Sequence, residues 1–388
     1  MKRLLALLVF YVVVQPGFVC AQPVVNSVAG SLAMDSPLMI SGLNFGRHSG
    51  LGSIQWLGPN IEQSSAGAIF TKRDWVAQPD LGGFTAPRYS TAKAHSGKKS
   101  ILCRIRDADS PATGKWGSGF YYDTGGAIDK IYVTWRVRFE KGSEFGQWKI
   151  WRLSPTPSVS DTNPQIYQCD WYNNDGSIYQ ALLLNYVKQN KFWYPTGDGA
   201  RWITANDVVP VNSWVRLEYY FEENSAMDAR DGSLRYFIHK QTETVRTVKD
   251  YVGNLQTRSA GATYDYRRYV HFQNYWGDQH AGEAADTSIY IDDIYIQPGT
   301  QARVEIGDSL DWSACKHREI QIPSLWSDGS IKITVNQGSF QAGDTAYLFV
   351  VDSDGKVNST GFPIVIGKRY GGAQSAVELL LSPGVTPK

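Results

Sequence analysis

The feature that most constrains this chain is a two-residue alternation of apolar and polar side chains that recurs along its middle. In Ile131-Tyr-Val-Thr-Trp-Arg-Val-Arg-Phe139 the apolar set is Ile131, Val133, Trp135, Val137 and Phe139, while Tyr132, Thr134, Arg136 and Arg138 take the other side. A period of two puts successive side chains on opposite faces of a strand, so the segment reads as a half-buried antiparallel strand. Trp214–Glu222 repeats the pattern, with Val215, Leu217, Tyr219 and Phe221 inward and Trp214, Arg216, Glu218 and Tyr220 outward. Tyr269–Trp276 places Tyr269, His271, Gln273 and Tyr275 on one face, and residues 289–296 complete the series. Turn signals at Asn174-Asp175-Gly176, Asp198-Gly199 and Asp231-Gly232 separate such runs, as a sandwich of antiparallel sheets requires. The expected fold class is all-β, and 388 residues suffice for two or three domains with real cores.

A net charge of +1 provides no global field to gather nucleic acid or an anionic membrane, so any acidic ligand must be met by local charges. The first residues read as an export signal: Lys2 and Arg3, an apolar run from Leu4 to Val14, and a small-residue cleavage site at Val19-Cys20-Ala21. The chain is therefore expected to be secreted, extracellular or periplasmic, after loss of residues 1–21. Lipidation of Cys20 is the alternative, against which Gly17, Phe18 and Val19 make a poor lipoprotein box. The apolar run is too short and too early for a membrane span, so no transmembrane segment is expected. The mature part keeps Cys103, Cys169 and Cys315, an odd number without a CxxC or Cys/His cluster, which points to buried thiols in strands rather than zinc. A monomer is expected.

The two ends differ from the middle. Residues 23–30 and then Pro37-Leu-Met-Ile-Ser-Gly-Leu-Asn-Phe-Gly46 resemble the opening of an IPT/TIG immunoglobulin-like domain, whose early strands end in a Gly-x-x-Phe-Gly turn. The later strands of that family are resembled far downstream by Trp326-Ser-Asp-Gly-Ser-Ile-Lys-Ile-Thr-Val, Gly343-Asp-Thr-Ala-Tyr-Leu-Phe-Val-Val and Asp354-Gly355. The resemblance implies one small Ig-like β-sandwich split into residues 22–62 and 301–367, with a large domain, 63–300, inserted at an exposed loop; two unrelated β modules are the alternative. Residues 368–388 read as a flexible tail.

The large domain resembles the concanavalin-A-like superfamily, and within it the alginate-lyase-like polysaccharide lyases. The resemblance is carried by Lys130-Ile-Tyr-Val-Thr-Trp-Arg-Val-Arg-Phe139, Gln147-Trp-Lys-Ile-Trp-Arg152, Asn212-Ser-Trp-Val-Arg216, Gly232-Ser-Leu-Arg-Tyr-Phe237 and Ile289-Tyr-Ile-Asp-Asp-Ile-Tyr295. It implies a jelly-roll sandwich whose concave sheet face holds a carbohydrate chain, expected to be an acidic polysaccharide. Aromatic faces would meet the sugar rings, and cations and amides the hydroxyls and carboxylates.

A lyase acting on a uronate polymer by β-elimination needs a group to quiet the carboxylate, a base and an acid. Arg136 and Gln273 suit the first role, Lys149 or His271 the second and Tyr275 the third. Tyr132, Arg136, Arg138, Trp151, Tyr167 and Gln273 are the expected substrate contacts. The rival readings are a polar cross-strand ladder with an inert His271, and a non-catalytic carbohydrate-binding or cell-surface module. A retaining glycoside hydrolase fits less well, because it needs two carboxylates about 5 Å apart. Glu218 and Glu222 share a face but stand over about 12 Å apart along their strand, and Glu223 points the other way. No Gly-x-Ser-x-Gly, P-loop or His-Glu-x-x-His is present. No cofactor is expected to be required. A structural Ca²⁺ ion at the Asp292-Asp293 pair, with Asp293 as ligand, is implied by the superfamily resemblance; alternation would send one of the two carboxylates inward.

Overall fold

The computed structural model describes residues 21–78, 86–105, 116–140, 148–157, 165–172, 177–185, 193–194, 197–198, 202–240, 242–258, 260, 266–276 and 287–375. The export signal assigned to residues 1–21 lies, except for its last residue, outside them. The regular structure of the described residues is almost entirely β-strand, and its larger part is a jelly-roll sandwich of two curled antiparallel sheets. One sheet has seven strands in the order Trp202–Pro210, Ser177–Asn185, Gln165–Tyr172, Trp148–Ser154, Tyr269–Trp276, Trp116–Asp123 and Trp75–Gln78. The other has eight. Its main path runs Arg246–Leu255, Gly232–His239, Trp214–Glu222, Lys130–Phe139, Thr287–Pro298, Ser100–Ile105 and Arg88–Ser90, and Gln55–Leu57 also pairs with Thr287–Pro298.

The core follows from the alternation. Ile131, Val133, Trp135, Val137 and Phe139, together with Val215, Leu217, Tyr219 and Phe221, enter the space between the sheets and meet Trp75, Phe120, Trp151, Leu153, Val270 and Phe272 from the seven-stranded sheet. Trp151 stacks on Tyr219 at 4.3 Å and 3°, and Tyr219 on Tyr236 at 4.7 Å and 4°, so a pile of three rings ties one sheet to the other.

A smaller β-sandwich stands against the eight-stranded sheet. Its five-stranded sheet runs Ile322–Ser327, Ser330–Thr334, Pro37–Leu43, Val24–Ser31 and Arg369–Ser375, and its four-stranded sheet Arg318–Ile320, Arg303–Gly307, Thr345–Val351 and Phe362–Val365. Strands from both ends of the chain therefore share one sheet, and Val28, Leu38, Ile40 and Phe45 share a core with Val304, Ile333, Leu348 and Ile364. The expected tail is corrected at its beginning: Arg369–Ser375 is a strand paired with Val24–Ser31, anchored by the buried ring of Tyr370. Residues 376–388 lie outside the described residues. Cys103 and Cys315 are buried and outside any disulfide; Cys103 is in a strand, whereas Cys315 follows a short 3-10 turn.

The outward face of the eight-stranded sheet does not meet water where the small sandwich covers it. Arg216 donates to Glu305 Oε1 (2.9 Å), to Thr134 Oγ1 (2.7 Å) and to the Arg318 carbonyl (2.7 Å). Glu218 accepts from Arg303 (2.8 Å) and from His239 Nε2 (2.8 Å), and Arg136 donates to Glu319 (2.7 Å). The guanidinium of Arg318 lies 3.7 Å over the ring of Trp312, whose indole N–H donates to Glu305 (2.8 Å). Four arginines thus face three glutamates with almost no solvent. Each guanidinium keeps a carboxylate within 4 Å, but that of Arg318, at 3.7 Å from Glu218, makes no hydrogen bond among the described residues and rests on the Trp312 ring instead.

Candidate functional site

The strands of the seven-stranded sheet hold Lys149, His271 and Tyr275. The antiparallel registers pair Tyr167 with Arg152, Arg152 with His271, His271 with Tyr121, and Tyr121 with Val76. That is a row across five strands. Beyond the intervening row of Gln168, Trp151, Phe272 and Phe120, a further row pairs Cys169 with Lys149, Lys149 with Tyr275, and Tyr275 with Trp116. Directly opposed residues of an antiparallel pair are the sheet's unit of side-chain interaction, so register sets Lys149 against Tyr275 and Arg152 against His271, with the Trp151–Phe272 pair between.

His271 is fully buried. Its Nε2 lies 2.8 Å from Ser154 Oγ, and that oxygen lies 2.7 Å from the Thr156 carbonyl. A carbonyl only accepts, so the serine proton goes to Thr156 and Nε2–H of the imidazole donates to the serine; Nδ1 then carries the lone pair. Burial, and after it the charge of Arg152, push the His271 pKa down to about 3. Tyr121 lies 5.2 Å from the His271 ring and 5.6 Å from Tyr269, edge to face, and the Arg268 guanidinium lies 5.2 Å from the Tyr269 ring. Arg268 is held by Asp123 through two bonds of 2.6 and 2.8 Å. The face therefore combines a neutral imidazole, two tyrosine rings and two arginines.

Four of the other expected residues, Tyr132, Arg136, Arg138 and Trp151, are placed elsewhere. Tyr132, Arg136 and Arg138 all belong to the eight-stranded sheet, so they do not share a sheet with His271. Tyr132 and Arg136 are buried under the small sandwich, where Arg303 lies 4.6 Å over the Tyr132 ring. Arg138 bonds Glu140 and the Asn212 carbonyl. Trp151 is core rather than groove. Opposite Gln165–Tyr172 the register skips Ile150, so Ile150 and Trp151 both enter the core and the parity of the strand flips after Lys149. The side chains of Lys149, Tyr167, Gln273 and Tyr275 lie outside the described set, and their registers are what is known of them.

Asp292 and Asp293 sit at another irregularity. The register with Lys130–Phe139 shifts between Asp292 and Tyr295, and Asp293 has φ 47°, in the left-handed region. Alternation therefore fails, and both carboxylates reach the 95–96 segment. Asp292 Oδ2 accepts from the His95 (2.8 Å) and Ser96 (3.3 Å) amides, and Asp293 meets His95 Nδ1 at 2.8 Å and accepts from Ser96 Oγ at 2.5 Å. Both Asp293 oxygens are thus engaged by protein groups. Among the described residues no group of three or more His, Cys, Asp or Glu side chains is disposed to hold a metal ion, and no helix is long and apolar enough to cross a membrane.

Buried histidines set an acid limit. His239 is pushed to about 3 by burial and then by Arg216, much like His271, against an ordinary value of 6.5. Between those values the unfolded chain binds protons that the folded chain does not, so stability is full above pH about 6.5 and falls as pH drops toward 3. Calorimetric melting temperatures should fall steadily from pH 7 to pH 4.5, and less steeply in His239→Gln. A flat profile in the parent protein would contradict neutral buried imidazoles.

No protein-family model matches the chain, and no curated protein matches it. Solved structures do. The marine PL-14 alginate lyase from Aplysia kurodai is 15% identical with a TM-score of 0.42, over 57% of this chain and 90% of that one. The alginate lyase vAL-1 from Chlorella virus is 12% identical with a TM-score of 0.39, over 63% and 99%. A cellulose induced protein, Cip1, is 12% identical with a TM-score of 0.35, over 58% and 92%.

Arg152, Tyr121, Tyr269 and Arg268 complete the face but were not among the expected contacts. Strand Trp116–Asp123 carries a readable signal, since Phe120 and Tyr122 are core and Tyr121 lies between them. Arg152 had none, because its face depends on the skipped residue.

Proposed function

We propose that the chain is a polysaccharide lyase that cleaves a uronate-containing polymer by β-elimination on the outer face of the seven-stranded sheet. The observation that carries this reading is the register that sets Lys149 opposite Tyr275 and Arg152 opposite His271 on the same pair of strands. In the proposed roles, Arg152 and Gln273 quiet the substrate carboxylate, His271 or Lys149 takes the proton beside it, and Tyr275 protonates the leaving oxygen. A uronate carboxylate on Arg152 would cancel the charge that helps depress His271 and so raise its basicity as substrate arrives. The small sandwich is read as one split Ig-like domain of IPT/TIG type, acting as a fixed brace on the opposite sheet, and the mature chain as a secreted monomer.

Incubation with alginate, glucuronan, pectate and glycosaminoglycans should release unsaturated products absorbing in the ultraviolet from at least one of them. The second reading, a glycan-binding module without turnover, is favoured by the complete burial of His271. Binding to a polymer with no new double bonds on any of the four would establish it in place of the lyase.

A further inference from the structure

A cleft of about 560 Å³ opens at the seam of the two sandwiches, apart from the rows that carry His271 and Lys149. Its walls include Gln55 and Trp56 of strand Gln55–Leu57, Lys72 just before the edge strand Trp75–Gln78, and Val335 and Asn336 of the small sandwich. This volume is in the range of small-ligand sites, which combine apolar walls with a few placed polar groups.

Both principal groups are held in position. The Trp56 backbone pairs with Tyr295, and the two rings stand 6.5 Å apart. Gly58 lets the indole lie against the chain, since a Cβ there would fall 2.2 Å from Trp56 Cζ2. Among the described residues, Lys72 Nζ reaches the Trp56 carbonyl at 3.5 Å, and no carboxylate lies within ion-pair distance of it. Burial lowers its pKa, as befits a half-buried ammonium lacking a counter-charge. Asp35 and Met34 also line the cleft.

We propose that this cleft is a second saccharide site, in which a pyranose ring stacks on Trp56 and a uronate carboxylate pairs with Lys72. The row Arg152, His271, Tyr121, Val76 ends on edge strand Trp75–Gln78, and Lys72 stands just before that strand, joined to Trp75 across a tight turn. The choice of a uronate rests on the proposed lyase reading; the indole and the ammonium lining the cleft do not.

The test uses the full mature chain carrying His271→Ala and Tyr275→Phe, so that binding in the sheet is weakened and turnover removed. Calorimetric titration with an alginate trisaccharide should show binding that Lys72→Met weakens about tenfold and Trp56→Ala at least as much, the order of a lost charge pair or stacked ring. Cellotriose, without carboxylates, should bind equally with or without Lys72→Met. Lys72→Met keeps the site testable where Trp56→Ala does not fold. Trisaccharide affinity unchanged by Lys72→Met, or no trisaccharide binding at all, would overturn the site. Failure of the lyase reading has a separate signature: no unsaturated product from the parent protein while the Lys72-dependent binding persists.

Discussion

Glu218→Ala should destabilise the whole chain by about 3–5 kcal/mol, the usual cost of removing one partner from a buried ion cluster. The substitution leaves Arg303 with no partner at 2.8 Å and strips a second carboxylate from the surroundings of Arg216 and Arg318, all almost solvent-free. Its carboxyl is held well below the usual carboxylate range despite the opposing effect of burial, because Arg303, His239, Arg216 and Arg318 all favour the ionised form. The cluster joins the eight-stranded sheet to the small sandwich, so both parts should lose stability together in a urea titration. Glu218→Met combined with Arg303→Met should recover part of the loss, because it removes a charge of each sign. A cost below about 1 kcal/mol for Glu218→Ala would show that the cluster is reached by water and does not clamp the two sandwiches.

The second large effect concerns turnover. Tyr275→Phe and His271→Ala should each lower the rate of unsaturated product formation by about 10²–10⁴, the contribution of a positioned acid or base. Lys149→Ala should fall in the same range if it serves as the base or holds the Tyr275 phenol. Trp151→Phe and Arg138→Ala, by contrast, alter residues placed outside the proposed chemistry and should leave the rate per folded molecule largely unchanged. Circular dichroism separates these cases from misfolding. Full activity in all three of the first variants would remove the proposed site from this face.

Much of the architecture was legible because hydrophobic burial enforces parity over long regular strands. In Lys130–Phe139 and Trp214–Glu222 every inward assignment is met by a core position. Two physical effects limited the reading of the site. The first is the irregularity at Ile150: one skipped residue reverses which side chains face the core, so Trp151 changed places with Arg152. A similar irregularity let Asp292 and Asp293 act together on the 95–96 segment. The second is that outward does not mean solvent-exposed. Tyr132 and Arg136 do leave the core as alternation requires, yet strands from residues 303 to 320 lie over them, and periodicity within one strand holds no information about what covers it.

The central claim is that sugar binds to the outer face of the seven-stranded sheet, and hydrogen exchange of the Tyr275→Phe protein with and without an alginate hexasaccharide tests it most directly. Saccharide should slow exchange in Trp148–Ser154, Tyr269–Trp276 and Trp116–Asp123, while Trp214–Glu222 and Gly232–His239 stay unchanged. Protection confined to the eight-stranded sheet, or none in the three named strands under saturating saccharide, would contradict the account.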